Sequence, residues 1–406
     1  MNEIRIGKWT ISRDFLLFLI ASALLGIAVA VESISFANRL AEDFEFTIRQ
    51  RTFLEIPREL PGLMVFLVIG ALAFLGDIRT AALGNILGGI GLFAFGLVPS
   101  GFWPVVVTMM IFSMGQHIWL PLSGAIAMTF ADDKNVGRRL GEIASVSTVI
   151  LIISSVVLYI MFEFFDMPFS TAFIIGAVAM VLAGIVLLSM SPGPKKAKKE
   201  RFVIKKKYTN FYLLAVFFGA RRQITFTFVT WLIITIYDQP VQTIAILFFI
   251  TNVISVFFRP LLGIFIDKLG ERFVLVFEGG LLLISCLGFA FARPLFSPTV
   301  ALIVVAACFI IDNIFSIGAQ MARTTYVRKL ADDQNEVSGT LSFSISLDHI
   351  FTMSLPFVVG LLWDWNPDTG YRYVFMVGAL ISAGCIFFAN RIRIPKREPA
   401  QSESAS

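Results

Sequence analysis

The sequence is dominated by apolar runs of about twenty residues, the length an α-helix needs to cross roughly 30 Å of hydrocarbon. Inside a bilayer the backbone finds no water and must satisfy its own hydrogen bonds, so runs of this length have to be helices. The alternating pattern of a membrane barrel strand is absent. Composition agrees: 57% of the 406 residues are hydrophobic and 15% are charged, against about a quarter charged in a soluble chain. The fold expected is an all-α integral membrane protein.

Twelve runs can be marked, near 14–38, 47–75, 80–98, 102–130, 141–163, 168–190, 209–236, 241–266, 273–291, 298–323, 338–362 and 370–390. Lysine and arginine divide the connecting segments unequally. Twenty-three lie in one set of loops and tails; five (Arg39, Arg49, Arg51, Arg293 and Arg372) lie in the other. By the positive-inside rule the rich set, with both termini, faces the cytoplasm, which requires an even number of spans in a cell (inner) membrane. The same distribution accounts for the net charge of +5 without a nucleic-acid partner. The first run, with basic residues before it and Ala28-Val29-Ala30 near its end, resembles a cleavable signal, but cleavage would leave an odd eleven spans. Cys286, Cys308 and Cys385 fall inside apolar runs, so no disulfide framework is expected. The segment from Ser191 to Tyr208 holds two prolines and eight basic residues, and reads as a cytoplasmic linker lying against anionic headgroups. It separates a six-helix bundle over 1–190 from a second over 209–394; the polar tail, 395–406, is expected to be disordered.

The halves carry an internal repeat. ADDKN (Ala131 to Asn135) follows span four and ADDQN (Ala331 to Asn335) follows span ten, the fourth span of each half. The loop after span eight, Gly263 to Arg272, has a counterpart after span two, Ala73 to Ala81, with Asp267 and Asp77 set in register.

These loops resemble the signature of the major facilitator superfamily, in which glycine, aspartate and basic residues recur after the second span of a half. Gly263, Asp267, Lys268, Gly270 and Arg272 match it, with Glu271 at one position where the pattern is basic. The first copy keeps Asp77 but has Ala73 and Thr80 at the glycine positions, and Ile78 and Ala81 where basic residues are usual. Arg138, Arg139 and Gly141 entering span five, and Gly370-Tyr371-Arg372 entering span twelve, also look familial. The resemblance covers nearly the whole chain. It implies twelve transmembrane helices in two six-helix pseudo-symmetric halves, and secondary transport by alternating access about a site near the midplane. The family's antiporter signature in span five and its sugar-porter loops are missing.

A charge at mid-bilayer costs roughly 2.5–3.5 kcal/mol on insertion scales, so charges there pair, line water or carry function. Span two has Arg51, Glu55, Arg58, Glu59 and Gly62 on one helical face. Glu32 of span one reaches a similar height, which allows a Glu32–Arg58 or Glu55–Arg58 pair: either a strut under the outer gate or part of a substrate or proton path. Span seven places Arg221, Arg222 and Gln223 near mid-membrane, with the two arginines about 100° apart. The resemblance puts spans one, four, seven and ten around the central cavity. Span ten offers Asp312, Asn313, Ser316, Gln320 and Arg323 on one face; span four offers Ser113, Gln116 and His117; span eleven offers Ser342, Ser346, His349 and Thr352, with Asp348 to the side.

Two readings follow. In one, Arg221 or Arg222 holds an anionic substrate group, because the guanidinium fork matches a carboxylate or phosphate. Asp312 then pairs with it when the site is empty, and a proton on Asp312, Asp348 or Glu59 couples transport. In the other, a permanent Arg–Asp pair holds spans seven and ten together. His117 and His349 are the only histidines; two alone make a poor metal site. Gly84, Gly88, Gly89 and Gly91 suit helix packing better than a nucleotide loop. With no enzyme motif, neither an enzyme, a cofactor nor a metal is expected. The sequence therefore favours a monomeric secondary carrier of a small organic anion, with membrane lipid, a small-molecule substrate and a proton or other coupling ion as its partners. The alternatives are an efflux pump for lipophilic drugs or cations, whose cavity would show unpaired acids, and a non-transporting membrane sensor on the same fold.

Overall fold

A computed structural model describes residues 3–6, 9–130, 136–192, 204–331 and 334–393. The middle of the basic linker, the polar tail and most of both ADD repeats lie outside the described residues. The apolar runs form helices throughout. Span one is Arg13–Asn38, prolonged by a π-helical turn at Arg39–Asp43. Span two is a short helix, Ile48–Phe53, continued by Glu55–Ala71. Spans three to six are Asp77–Leu97, Phe102–Met128, Val136–Phe164 and Phe169–Leu188. Span seven is Thr209–Thr235, and Val241–Leu295 holds spans eight and nine. Spans ten to twelve are Pro298–Leu330, Gln334–Trp365 and Gly370–Asn390. An antiparallel hairpin, β1 (Glu3–Ile6) with β2 (Trp9–Ser12), precedes span one and is not foreshadowed by the apolar pattern. Twelve alternating spans put both chain ends on one face, here the terminal face; the opposite face is the distal one.

Ten stretches among the described residues are long and apolar enough to cross a membrane by length and composition. The two spans missing from that set are two and seven, which carry the charges at Arg51, Glu55, Arg58 and Glu59 and at Arg221 and Arg222. Span two stays helical through Leu54 (φ −58°, ψ −26°), as the continuous run in the sequence suggests. Pro57 offers no N–H, so the carbonyl of Phe53 four residues back lacks its helical donor there. Thr47 and Gln50 close the start of that short helix with a reciprocal capping box.

The repeat between the halves shows most clearly at two glycines. Gly76 (φ 81°, ψ 164°) leads into span three and Gly270 (φ 81°, ψ 157°) breaks the long helix before span nine. Both occupy a left-handed backbone region open to glycine, which lets the chain reverse in almost no space. Matching these turns pairs Asp77 with Glu271, one residue after each glycine. That corrects the register set from sequence, in which Asp77 faced Asp267; the position matching Asp267 in the first half is Ala73.

Lipid tails are as apolar as leucine, so helix association rests on close packing rather than on apolar burial from water. Spans three and four meet backbone to backbone at Gly88 and Gly115, where a Cβ on Gly115 would lie 2.5 Å from Gly88 Cα. Across the halves, span two packs on span eleven and span five on span eight. Moving each span of the first pair to its counterpart in the other half, two to eight and eleven to five, gives the second, so the interface itself has the pseudo-twofold symmetry of the repeat. One hydrophobic core runs through the first half and into the distal part of the second, joining residues such as Phe36, Phe228 and Phe375. The terminal part of the second half has a separate core around Tyr208, Phe211 and Tyr326. Among the described residues the halves are thus fused distally and share no core on the terminal side.

Tyr208, at the entry of span seven, is fully buried and donates to Glu336 Oε2 at 2.5 Å. Lys205 and Lys207 pair with the same carboxylate, the latter at 2.7 Å, tying this entry to the start of span eleven. Burial first, and then the carboxylate that accepts its hydrogen, push the Tyr208 hydroxyl up to about 12.

Candidate substrate cavity

A cavity of about 250 Å³ lies between the halves near mid-membrane. Its walls come from spans one, two, seven, eight, nine and ten. Five phenylalanines (Phe36, Phe226, Phe248, Phe289 and Phe309) give it an apolar body, and residues such as Thr225, Asn252, Asn313 and Gln320 add uncharged polar groups. Glu32, Arg51, Arg222 and Asp312 are its charged wall residues.

The charges sort into three sets. In the first, Glu55 is completely buried and shared by two arginines: Arg51 pairs with Oε1, and Arg58 reaches Oε2 at 3.2 Å. Arg58 also reaches Glu32 at 2.9 Å, so both pairs allowed by the sequence are made at once. The four charges sum to zero. Gln223 Nε2 donates to Glu55 Oε2 at 3.3 Å from the other half, and Phe226 lies under the Arg58 guanidinium with its ring centre 5.0 Å away. This is a buried, neutral strut on the distal side of the cavity, and its members Glu32 and Arg51 form part of the cavity wall. Both terminal nitrogens of Arg58 are engaged within it, while its Nε is buried without a partner.

The second set separates the two adjacent arginines of span seven. Arg221 is 1% exposed, pairs with Asp312 and donates to Ser316 Oγ at 2.6 Å. It therefore braces span seven against span ten. Arg222, about 100° round the helix, faces the cavity; its side chain is 49% exposed and sits 3.2 Å from Asp348 of span eleven. Asp312 consequently pairs with the brace rather than with the cavity arginine. Asn313 lines the cavity, with its amide donating to Phe309 O at 2.9 Å. Gln116 is half-buried in span four and lies outside the cavity walls.

The third set joins residues that sequence left apart. Glu59 of span two, His117 of span four and His349 of span eleven meet across the interface; the imidazole centres are 5.1 Å apart. Thr352 Oγ1 lies 3.5 Å from Glu59.

At the terminal face, Asp267 and Lys268 are exposed and Gly263 has open space beside it. Arg272 donates to Asn390 of span twelve at 3.2 Å. Glu271, the departure from the familial pattern, is buried and takes Lys329 of span ten as its partner at 2.5 Å. Cavity residues not singled out from sequence include Thr251, Asn252 and Ser255. Their polarity within the otherwise apolar face of span eight was the available signal.

Twelve helical spans in two halves, with a charged cavity between them, are the layout of a membrane transporter. The chain belongs to the major facilitator superfamily, whose family model matches residues 18–347. Among solved structures it is similar to the nucleoside transporter NupG, with TM-score 0.75 and 15% identity over 94% of this chain and 99% of that one. A bacterial homolog of the human lysosomal transporter Spinster, captured inward-facing and occupied, gives TM-score 0.72 and 15% identity over 93% and 96%. An auto-inhibited POT family peptide transporter gives TM-score 0.74 and 10% identity over 96% and 99%. A comparison with curated protein sequences finds no match.

Proposed function

We propose that the chain carries a small organic anion with an apolar or aromatic body across the cell membrane by alternating access. The observation that carries this reading is the position of Arg222. The arginines at 51, 58 and 221 are buried and locked in ion pairs, whereas Arg222 presents a half-exposed guanidinium to the cavity. Its fork suits a carboxylate or phosphate, and the five phenylalanines of the cavity suit the rest of such a molecule. Asp348 is the carboxylate an incoming anion displaces. A proton taken up by Asp348 leaves the site neutral again, which makes proton–anion symport the coupling that the site favours. Alternating access is supported by the unequal faces: fused distally, the halves hold separate cores on the terminal side. The excess of basic residues on that terminal side favours a cytoplasmic location for it.

The test is a thermal-shift screen of the purified protein against organic anions, nucleosides, peptides, sugars and lipophilic cations. A ligand that binds the folded state raises its melting temperature by mass action. Stabilisation by one class of anions, lost in Arg222→Ala, is the expected result. Stabilisation by lipophilic cations, or by anions equally in wild type and Arg222→Ala, removes the arginine from the site and leaves efflux as the better reading.

A further inference from the structure

We propose that Glu59, His117 and His349 bind one divalent transition-metal ion of the zinc class, and that the ion clasps the two halves together. His117 Nδ1 lies 2.9 Å from the carbonyl oxygen of Ser113 and 3.0 Å from its hydroxyl oxygen. The carbonyl only accepts. The Ser113 hydroxyl donates its hydrogen to the Arg58 carbonyl, so it too presents lone pairs to the imidazole. Nδ1 therefore carries the hydrogen, and the neutral ring turns the bare lone pair of Nε2 toward Glu59.

That lone pair faces Glu59 Oε2 at 3.8 Å, and the same oxygen lies 3.2 Å from His349 Nδ1. A separation of 3.8 Å exceeds a hydrogen bond, so a proton does not bridge it well. It is close to the spacing of two ligands on one metal, since ligands at about 2.0–2.2 Å in tetrahedral geometry stand roughly 3.3–3.6 Å apart. All three ligand atoms lie within 4.8 Å of one another. The imidazole N–H donated to a backbone carbonyl is the outer support that fixes a metal-binding histidine in its tautomer.

The backbone makes room for this meeting. A Cβ on Gly62, one turn beyond Glu59, would lie 2.5 Å from carbons of both imidazoles, so only glycine lets the two rings come together here. The donor set, two nitrogens and one carboxylate, selects zinc, cobalt or nickel over magnesium or calcium, which require oxygen. Glu59 and His349 keep 13% and 18% exposure, which leaves one coordination position for water. Two ligands belong to the first half and one to the second. Occupancy therefore favours the state in which the halves meet at this height, and the ion has to leave or lose a ligand before they part.

The experiment uses the full chain purified with a histidine-free tag, stripped with chelator and dialysed. Zn2+ is titrated calorimetrically, and Co2+ is followed by its visible ligand-field absorption. The expected result is one ion per chain, tetrahedral or five-coordinate cobalt bands, and a rise in melting temperature with Zn2+. All three vanish in His349→Ala and Glu59→Gln and persist in Arg222→Ala, which separates this site from the anion site. Melting temperatures without metal show whether each variant folds; His117→Gln, nearly isosteric, is the fallback if His349→Ala does not. No Zn2+ binding by the wild type overturns the proposal and leaves the cluster to protons. So does equal binding by wild type and variants, which marks an adventitious ion only.

Discussion

Asp312→Asn tests whether Arg221 is a brace or a ligand. In the wild type, Arg221 is buried, paired with Asp312 and bonded to Ser316, with its Nε unpartnered. Removing the aspartate charge leaves a cation in the membrane interior. Insertion scales put an isolated charge there at roughly 2.5–3.5 kcal/mol, and breaking a buried ion pair in a protein costs about 3–5 kcal/mol. These figures describe the same loss and do not add. Because Ser316 keeps one guanidinium N–H partnered, the lower end, about 3 kcal/mol, is expected. Replacing both charges, as Arg221→Met with Asp312→Leu, should recover stability to within about 1 kcal/mol of wild type, since the desolvation penalty goes with the charges. The assay is equilibrium unfolding in mixed micelles, read by fluorescence of the six tryptophans, with the single and double variants forming a cycle. A loss below about 1 kcal/mol in Asp312→Asn, or a double variant no better than the single ones, refutes the brace.

Glu55→Gln leaves Arg51 and Arg58 sharing Glu32 alone, a net buried cation; unfolding should show a loss of about 3 kcal/mol or more, and Glu32→Gln a smaller one. Gly270→Ala forces a Cβ into the left-handed region at φ 81° and should cost about 1–2 kcal/mol, whereas Gly124→Ala, with open space around it, should be neutral or stabilising by the same unfolding assay. Tyr208 is neutral in the folded state with its hydroxyl held near 12, so its contribution is complete below the ordinary tyrosine range and is lost as pH rises from about 10 to about 12. Melting temperature in that window should fall more steeply in wild type than in Tyr208→Phe.

The spans were legible because length and apolarity are local properties, and all twelve are where the runs place them. The two pairs of Arg58 were legible as alternatives, from its spacing to Glu55 and its height beside Glu32; the Arg51–Glu55 pair was not singled out. Three features were not. Which of Arg221 and Arg222 meets the cavity depends on how span seven is rotated, and that is set by neighbouring helices. The register of the degenerate loop after span two rested on an identical aspartate, whereas the chain repeats a glycine turn. The meeting of His117 with His349 joins residues 232 apart on opposite halves, which no local spacing encodes.

The most direct test of transport by rocking halves is a pair of spin-label distances in nanodiscs. One pair, Met128→Cys with Arg328→Cys, spans the halves on the terminal face; the other, Phe164→Cys with Leu295→Cys, spans them on the distal face. The native cysteines are buried, which keeps the labels on the introduced sites. With the stabilising anion and a change of pH, the terminal-face distance should shorten while the distal-face distance lengthens. Distances on both faces that stay fixed under every condition that raises the melting temperature would contradict alternating access.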